Sequence, residues 1–242
     1  FSPNGRFLAT WSAGAEVIRL WDTTTGQQLH EFAVERSCGS GGILTFSPDG
    51  QTFAVVNGST IQFFDVASGT PLQTLENAYC FAADLAFNPD SRALYVAGTG
   101  YLNILTIADE PFHQVVPGGS PLSALAISPD GTWLAKGYEA EPLVEMQSMA
   151  NDQLQLTLKT AGQPITALSF SPDGRLLVTQ SEVSNSPMVE VWHAASGDLL
   201  ASFAVYRFAF RPDGRYLALS LIQTETEPPA IVLWDTKTFQ VA

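Results

Sequence analysis

Apolar residues in this chain come in short runs separated by polar segments rich in turn-forming residues, and the second interval shows the cycle in full. Its runs Ile43 to Ser47, Thr52 to Val56, Thr60 to Asp65 and Pro71 to Leu75 read as four strands, with Asn57-Gly58 predicting a tight hairpin between the middle pair. The first strand ends in Ser47-Pro48-Asp49-Gly50. This is turn chemistry, because proline presets φ, aspartate can bond its own backbone and glycine accepts positive φ. Close copies begin at Phe1, Phe87, Ile127, Phe170 and Phe210, with Ser91 replacing the glycine in one of them. The prolines at 3, 48, 89, 129, 172 and 212 are 45, 41, 40, 43 and 40 residues apart, a period that marks a repeat architecture.

The other intervals follow the same cycle. The first gives Phe7 to Trp11, Val17 to Asp22 and Gln28 to Phe32, its own first strand lying before the chain opens. The third gives Ala83 to Asn88, Ala93 to Ala97, Leu102 to Ile107 and Phe112 to Val116; the fourth Ser123 to Ser128, Trp133 to Lys136, Leu143 to Gln147 and Gln153 to Leu158. The fifth gives Thr166 to Ser171, Leu176 to Gln180, Met188 to His193 and Leu199 to Phe203; the sixth Tyr206 to Arg211, Tyr216 to Leu221 and Ile231 to Asp235. The prediction is an all-β fold of four-stranded antiparallel sheets in one domain, residues 1–242, with approximate repeats 1–34, 35–75, 76–116, 117–160, 161–203 and 204–242, the first and last incomplete. Runs such as Ile231-Val232-Leu233-Trp234 are apolar on both faces, so each sheet is expected to be covered on both sides, as radial packing would do. From Phe203 to Pro212 is nine residues where Leu158 to Pro172 is fourteen, which predicts a curtailed outer strand in repeat five or inner strand in repeat six.

Six such turns, each followed by Leu-Trp-Asp or a relative of it, resemble the WD-repeat β-propellers. Leu20-Trp21-Asp22 and Leu233-Trp234-Asp235 keep the signature, Val191-Trp192-His193 keeps the tryptophan, and Phe63-Phe64-Asp65 keeps an aromatic and the aspartate. Leu105-Thr106 and Gln147-Ser148 stand where repeats three and four have lost it. The resemblance implies a β-propeller whose loop faces bind proteins or peptides. The family's Gly-His pair is missing, since the histidines are His30, His113 and His193, so the blades are expected to cohere mainly by apolar packing. In phase, Ala242 lies eight residues past Trp234 as Leu29 lies eight past Trp21. A six-bladed ring would then lack about sixteen residues and a seven-bladed one a further repeat, so the chain is expected to be a fragment, with seven blades preferred for its parent.

Composition narrows the function classes. Hydrophobic residues at 45% and charged ones at 14% describe a globular chain with a core. Twenty-four acidic residues against eleven basic ones give a formal charge of -13, which argues against nucleic acid and anionic membrane and leaves basic proteins or peptides as the electrostatically favoured partners of a monomer or of a longer chain. Cys38 and Cys80 occupy matching places in neighbouring repeats and are expected to be unpaired thiols. No run of eighteen apolar residues occurs. Compartment is left undecided, with a lean to cytoplasm and an extracytoplasmic place still open.

Chemistry-bearing motifs are few. No Gly-x-Ser-x-Gly or Gly-x-x-x-x-Gly-Lys stretch occurs, and Gly39-Ser40-Gly41-Gly42, lacking a following helix, reads as a connector. The histidines and cysteines show no metal-ligand spacing, so neither metal nor cofactor is expected. Asn57-Gly58-Ser59 fits a glycosylation pattern but is explained by the hairpin. Two features remain. Asp84 and Arg207 sit five residues before the turn proline, where other repeats place Ile43, Ala124 and Ala167, making them candidates for the lining of a central channel. Glu139 and Glu141, Glu182, and Glu225 and Glu227 fall between the second and third strands of repeats four, five and six, in loops predicted to share one face and, in the last two, to be long. The expectation is a non-catalytic protein-interaction scaffold using this acidic rim. Alternatives are an enzyme or small-ligand binder at the channel mouth, and a structural or sensory repeat domain of a larger regulatory protein.

Overall fold

The computed structural model describes residues 1–12, 17–33, 43–57, 60–75, 82–98, 101–107, 113–117, 120–184, 186–221 and 230–241, and every regular element among them is a β-strand. The chain divides into two compact units, Phe1–Gly119 and Ser120–Ala242. Cys38, Cys80, Phe112, Gly39 to Gly42, Glu225 and Glu227 lie outside the described residues.

In the first unit, sheet one is β1 (Phe7–Ser12), β2 (Val17–Asp22) and β3 (Gln28–Ala33). Sheet two is β4 (Ile43–Phe46), β5 (Thr52–Asn57), β6 (Thr60–Asp65) and β7 (Pro71–Leu75). Sheet three is β8 (Ala82–Phe87), β9 (Ala93–Gly98), β10 (Tyr101–Thr106) and β11 (His113–Pro117). Each is an antiparallel meander in chain order. Strand β5 runs one residue further than predicted, since Asn57 itself pairs with Thr60; Gly58 and Ser59 lie outside the described residues.

Strand β5 shows why the runs are apolar throughout. Phe53 and Val55 enter a cluster with Ile18, Leu20, Phe32 and Phe64, while Ala54 and Val56 enter another with Leu85, Phe87, Leu94 and Val96. Alternate side chains thus serve opposite faces, and sheet two is buried against sheet one and sheet three. Each large side chain so buried contributes about 1.5–3 kcal/mol, which makes apolar packing the main cohesion between sheets.

In the second unit, sheet four is β12 (Leu122–Ile127), β13 (Trp133–Tyr138), β14 (Leu143–Ser148) and β15 (Leu154–Lys159). It is followed by β16 (Ile165–Phe170), β17 (Leu176–Val183), β18 (Ser186–His193), β19 (Leu199–Phe210), β20 (Tyr216–Leu221), β21 (Ile231–Asp235) and β22 (Gln240–Val241), seven strands paired in order. The short crossing between repeats five and six is therefore solved differently from the prediction. Neither strand is curtailed. Strand β19 runs unbroken for twelve residues, pairing with β18 up to Ala204 and with β20 from Val205, so one strand closes sheet five and opens sheet six. The register slips at the change of partner, and the Gln180 amide donates to the Tyr206 carbonyl there at 3.3 Å. A further difference concerns sheet six. Trp234 is buried, but Ile231 and Leu233 on the other side of β21 are 74% and 44% exposed, so among the described residues the expected two-sided cover is incomplete at this strand.

The repeated turn is a closed hydrogen-bond device. In its copies the buried hydroxyls of Ser2, Ser47, Ser128 and Ser171 each accept the backbone N–H five residues on. Each donates to the carboxyl or amide oxygen two residues on, at 2.6–2.8 Å. That oxygen accepts the N–H of the residue after the glycine, and the glycine takes φ near +70°. The serine hydroxyl and one side-chain oxygen of the Asp or Asn are thus occupied within the turn, which gives the motif a scaffold role.

Candidate functional site

At the end of the second unit opposite these turns, the connections form one hydrogen-bonded strip. Glu139 N–H donates to Pro121 O at 3.0 Å, Thr160 N–H to Pro142 O at 2.9 Å, and Gln163 N–H to Glu182 O at 3.0 Å. The strip ties the β13–β14 loop to the segment entering sheet five and that segment to the end of β17. Three of the five predicted rim carboxylates are thereby placed along it. Glu139 and Glu182 are exposed, while Glu141 is half-buried and accepts the Ser120 hydroxyl. Glu225 and Glu227 are outside the described residues.

The position of Glu182 corrects the sequence reading. It stands within β17, paired with Pro187, because β17 and β18 are extended to eight residues each and only 184 and 185 separate them. The long loop predicted for repeat five is a long hairpin. Its backbone is also a packing partner: a Cβ on Gly162 would lie 2.0 Å from Glu182 O, so glycine is required for the approach.

Two groups near the strip were not singled out from the sequence. Lys136 Nζ lies 2.9 Å from Glu145 Oε2, and the Tyr138 hydroxyl donates to the same oxygen at 2.6 Å. Burial pushes the Tyr138 phenol up, and its hydrogen bond to Glu145 and the charges of Glu145 and Glu141 push it further. Burial also acts to raise Glu145, but Lys136 and Tyr138 outweigh it and hold the carboxyl below its ordinary value. Glu190, 3% exposed on β18, accepts Ala161 N–H at 3.0 Å, and burial pushes its carboxyl up. The signal available for these was a lone charge inside an apolar run.

The two channel candidates fall in separate units. Asp84 is on β8, half-buried, and accepts the Leu85 N–H at 2.8 Å; Arg207 is on β19 and exposed. Both directly follow a register slip in their strand, as do Ala124 and Ala167 in β12 and β16, so their shared position is that of a recurrent bulge.

Comparison with known proteins accords with this architecture. Residues 152–193, from just before β15 to the end of β18, match the family model described as WD domain, G-beta repeat. A WD repeat-containing protein 90 of Xenopus tropicalis is 33% identical over 129 residues, 49% of this chain; the match spans 7% of that protein's length. The β-propeller domain of Cps50 (Swd1) of Myceliophteria thermophila superposes over 100% of this chain and 83% of its own with a TM-score of 0.78 at 16% identity. The chain has a β-propeller fold and carries a WD repeat at residues 152–193. The fold also resembles that of a hydrazine synthase of Kuenenia stuttgartiensis, with a TM-score of 0.67 and 20% identity over 82% of this chain and 64% of that one. Both structural likenesses are of fold alone. Two of the three tryptophans at the third-strand signature position find partners without a Gly-His pair: Trp21 Nε1–H donates to Thr10 Oγ1 at 2.9 Å and Trp192 Nε1–H to Thr179 Oγ1 at 3.0 Å.

Proposed function

We propose that this WD-repeat chain acts as a protein-interaction scaffold and that the strip carrying Glu139, Glu141 and Glu182 receives a basic segment of a protein or peptide. WD-repeat propellers serve generally as such scaffolds, which supports the class of function. The observation that supports the place is the run of backbone hydrogen bonds from Pro121 to Glu182, which holds two exposed carboxylates on a rigid edge of the second unit. A pre-ordered edge spares the ordering cost that a flexible acidic loop would incur on binding. The likeness to hydrazine synthase carries no chemistry at 20% identity. The test is fluorescence anisotropy with a panel of Lys/Arg-rich peptides and their Gln-substituted counterparts. Glu139→Gln with Glu182→Gln is expected to weaken the peptide that binds best by about 3- to 10-fold, as loss of two exposed ion pairs would. An affinity unchanged by the double substitution removes the rim from consideration.

A further inference from the structure

At the turn end of the second unit, sheets five and six enclose a cleft of about 250 Å³. It lies opposite the acidic strip and is independent of it. Three cations, Arg175, Arg215 and Lys237, line it against two carboxylates, Asp173 and Asp213. Asp213 is paired with Arg211 at 3.2 Å, and one Asp173 oxygen is consumed by the Ser171 hydroxyl and the Arg175 N–H. Arg215 is likewise paired with Asp235 at 3.5 Å, so Arg175 and Lys237 are the lining cations without an ion-pair partner among the described residues.

The cleft has a cause in the repeat itself. An arginine follows the turn glycine in repeats one, five and six, and the last residue of the third strand faces it. In repeat one that pair is Arg6 and Asp22, 3.5 Å apart, with Arg6 also over the Phe7 ring at 5.2 Å. Repeat six reproduces it with Arg215 and Asp235 at 3.5 Å and Arg215 over Tyr216 at 5.2 Å. Repeat five has His193 in place of the aspartate and Leu176 in place of the aromatic.

The backbone is nevertheless the same, since Ala194 N–H donates to Arg175 O at 2.9 Å as Thr23 N–H does to Arg6 O and Thr236 N–H to Arg215 O. Imidazole Nδ1 of His193 accepts the Ser196 N–H at 3.3 Å, taking over the turn-capping role that Asp22 and Asp235 play. Capping is kept, but the facing carboxylate is gone, and the charge that still acts on Arg175 is that of Asp173 in its own turn. Among the described residues Arg175 has no carboxylate within ion-pair distance, and both it and Lys237 are exposed and line the cleft.

We propose that Arg175 and Lys237, with the Asp235-paired Arg215 at the edge of the cleft, form a binding site for the oxyanion of a ligand, a phosphate monoester or a carboxylate, entering where repeats one and six hold an aspartate. The guanidinium fork matches either group in a two-point contact, and Lys237 supplies a second charge. The cleft far exceeds the roughly 30 Å³ that a water occupies in the liquid, so the group can enter with the stem that carries it.

Isothermal titration with inorganic phosphate and, separately, succinate tests the site and tells the two chemistries apart, with the Arg175 side-chain Nε–H followed by NMR. Saturable binding of at least one is expected, shifting the Arg175 resonance. Arg175→Gln should weaken it at least tenfold and Lys237→Gln severalfold. His193→Asp installs the residue that repeats one and six carry and should abolish binding by pairing with Arg175. His193→Asn keeps a capping acceptor without charge and should bind as the parent does. If neither anion binds, or if the aspartate and asparagine variants behave alike, the site is refuted. Equal melting temperatures of the two His193 variants exclude misfolding as the cause.

Discussion

Glu190 carries the clearest electrostatic consequence of a single residue. Burial raises its carboxyl above the ordinary 4.5, only partly offset by the Ala161 N–H. The folded chain therefore holds this proton more tightly than the unfolded one. Its contribution to stability is complete below pH 4.5 and is lost as pH rises through the raised value. Glu190→Gln keeps an acceptor for Ala161 and removes the ionisation. The variant is expected to melt higher than the parent at neutral pH, with the gap closing as the pH is taken below 4.5. Parallel melting curves at every pH would show that the carboxyl titrates as it does in the unfolded chain.

Among elements, the hairpin of β17 and β18 and the segment entering it share one constraint. Gly162 packs against the backbone of Glu182, so a methyl group there must displace a strand, and Gly162→Ala is expected to cost about 3 kcal/mol in urea unfolding. Gly5 is the control. It has φ +70° and nothing within 4 Å of the place a methyl would take, so Gly5→Ala costs only the left-handed conformation, about 1–2 kcal/mol. A smaller loss at Gly162 than at Gly5 would mean that the strip yields easily. The same strip then could not be the rigid edge on which the proposed peptide contact depends.

On the scale of the whole molecule, charge is the dominant feature. With a formal charge of -13, association with a basic partner is steered by the full field and should slow as salt rises from about 0.02 to 0.5 M. Dissociation is expected to change less, because local contacts control it. Stopped-flow traces with the best Lys/Arg peptide would check this, and the Glu139→Gln, Glu182→Gln variant should show a shallower salt slope. An association rate indifferent to salt would separate the acidity from partner capture.

Strands Thr60–Asp65, Pro71–Leu75, Tyr216–Leu221 and Ile231–Asp235 were legible in the amino-acid sequence to the residue. Their signals are local: a short apolar run, and turns whose proline, aspartate and glycine act within five residues. The same holds for the repeat period and hence the propeller fold. Other features depend on residues far apart in the chain. Nine residues between Phe203 and Pro212 could be counted, but only the pairing of β19 with both β18 and β20 resolved the shortage into one continuous strand. The acidic residues could be named, yet backbone bonds between connections brought Glu139 and Glu182 onto one edge. His193 was visible as a departure from Trp-Asp. That it leaves Arg175 facing a cleft shared with Lys237 depends on the packing of two sheets, which no spacing along the chain encodes.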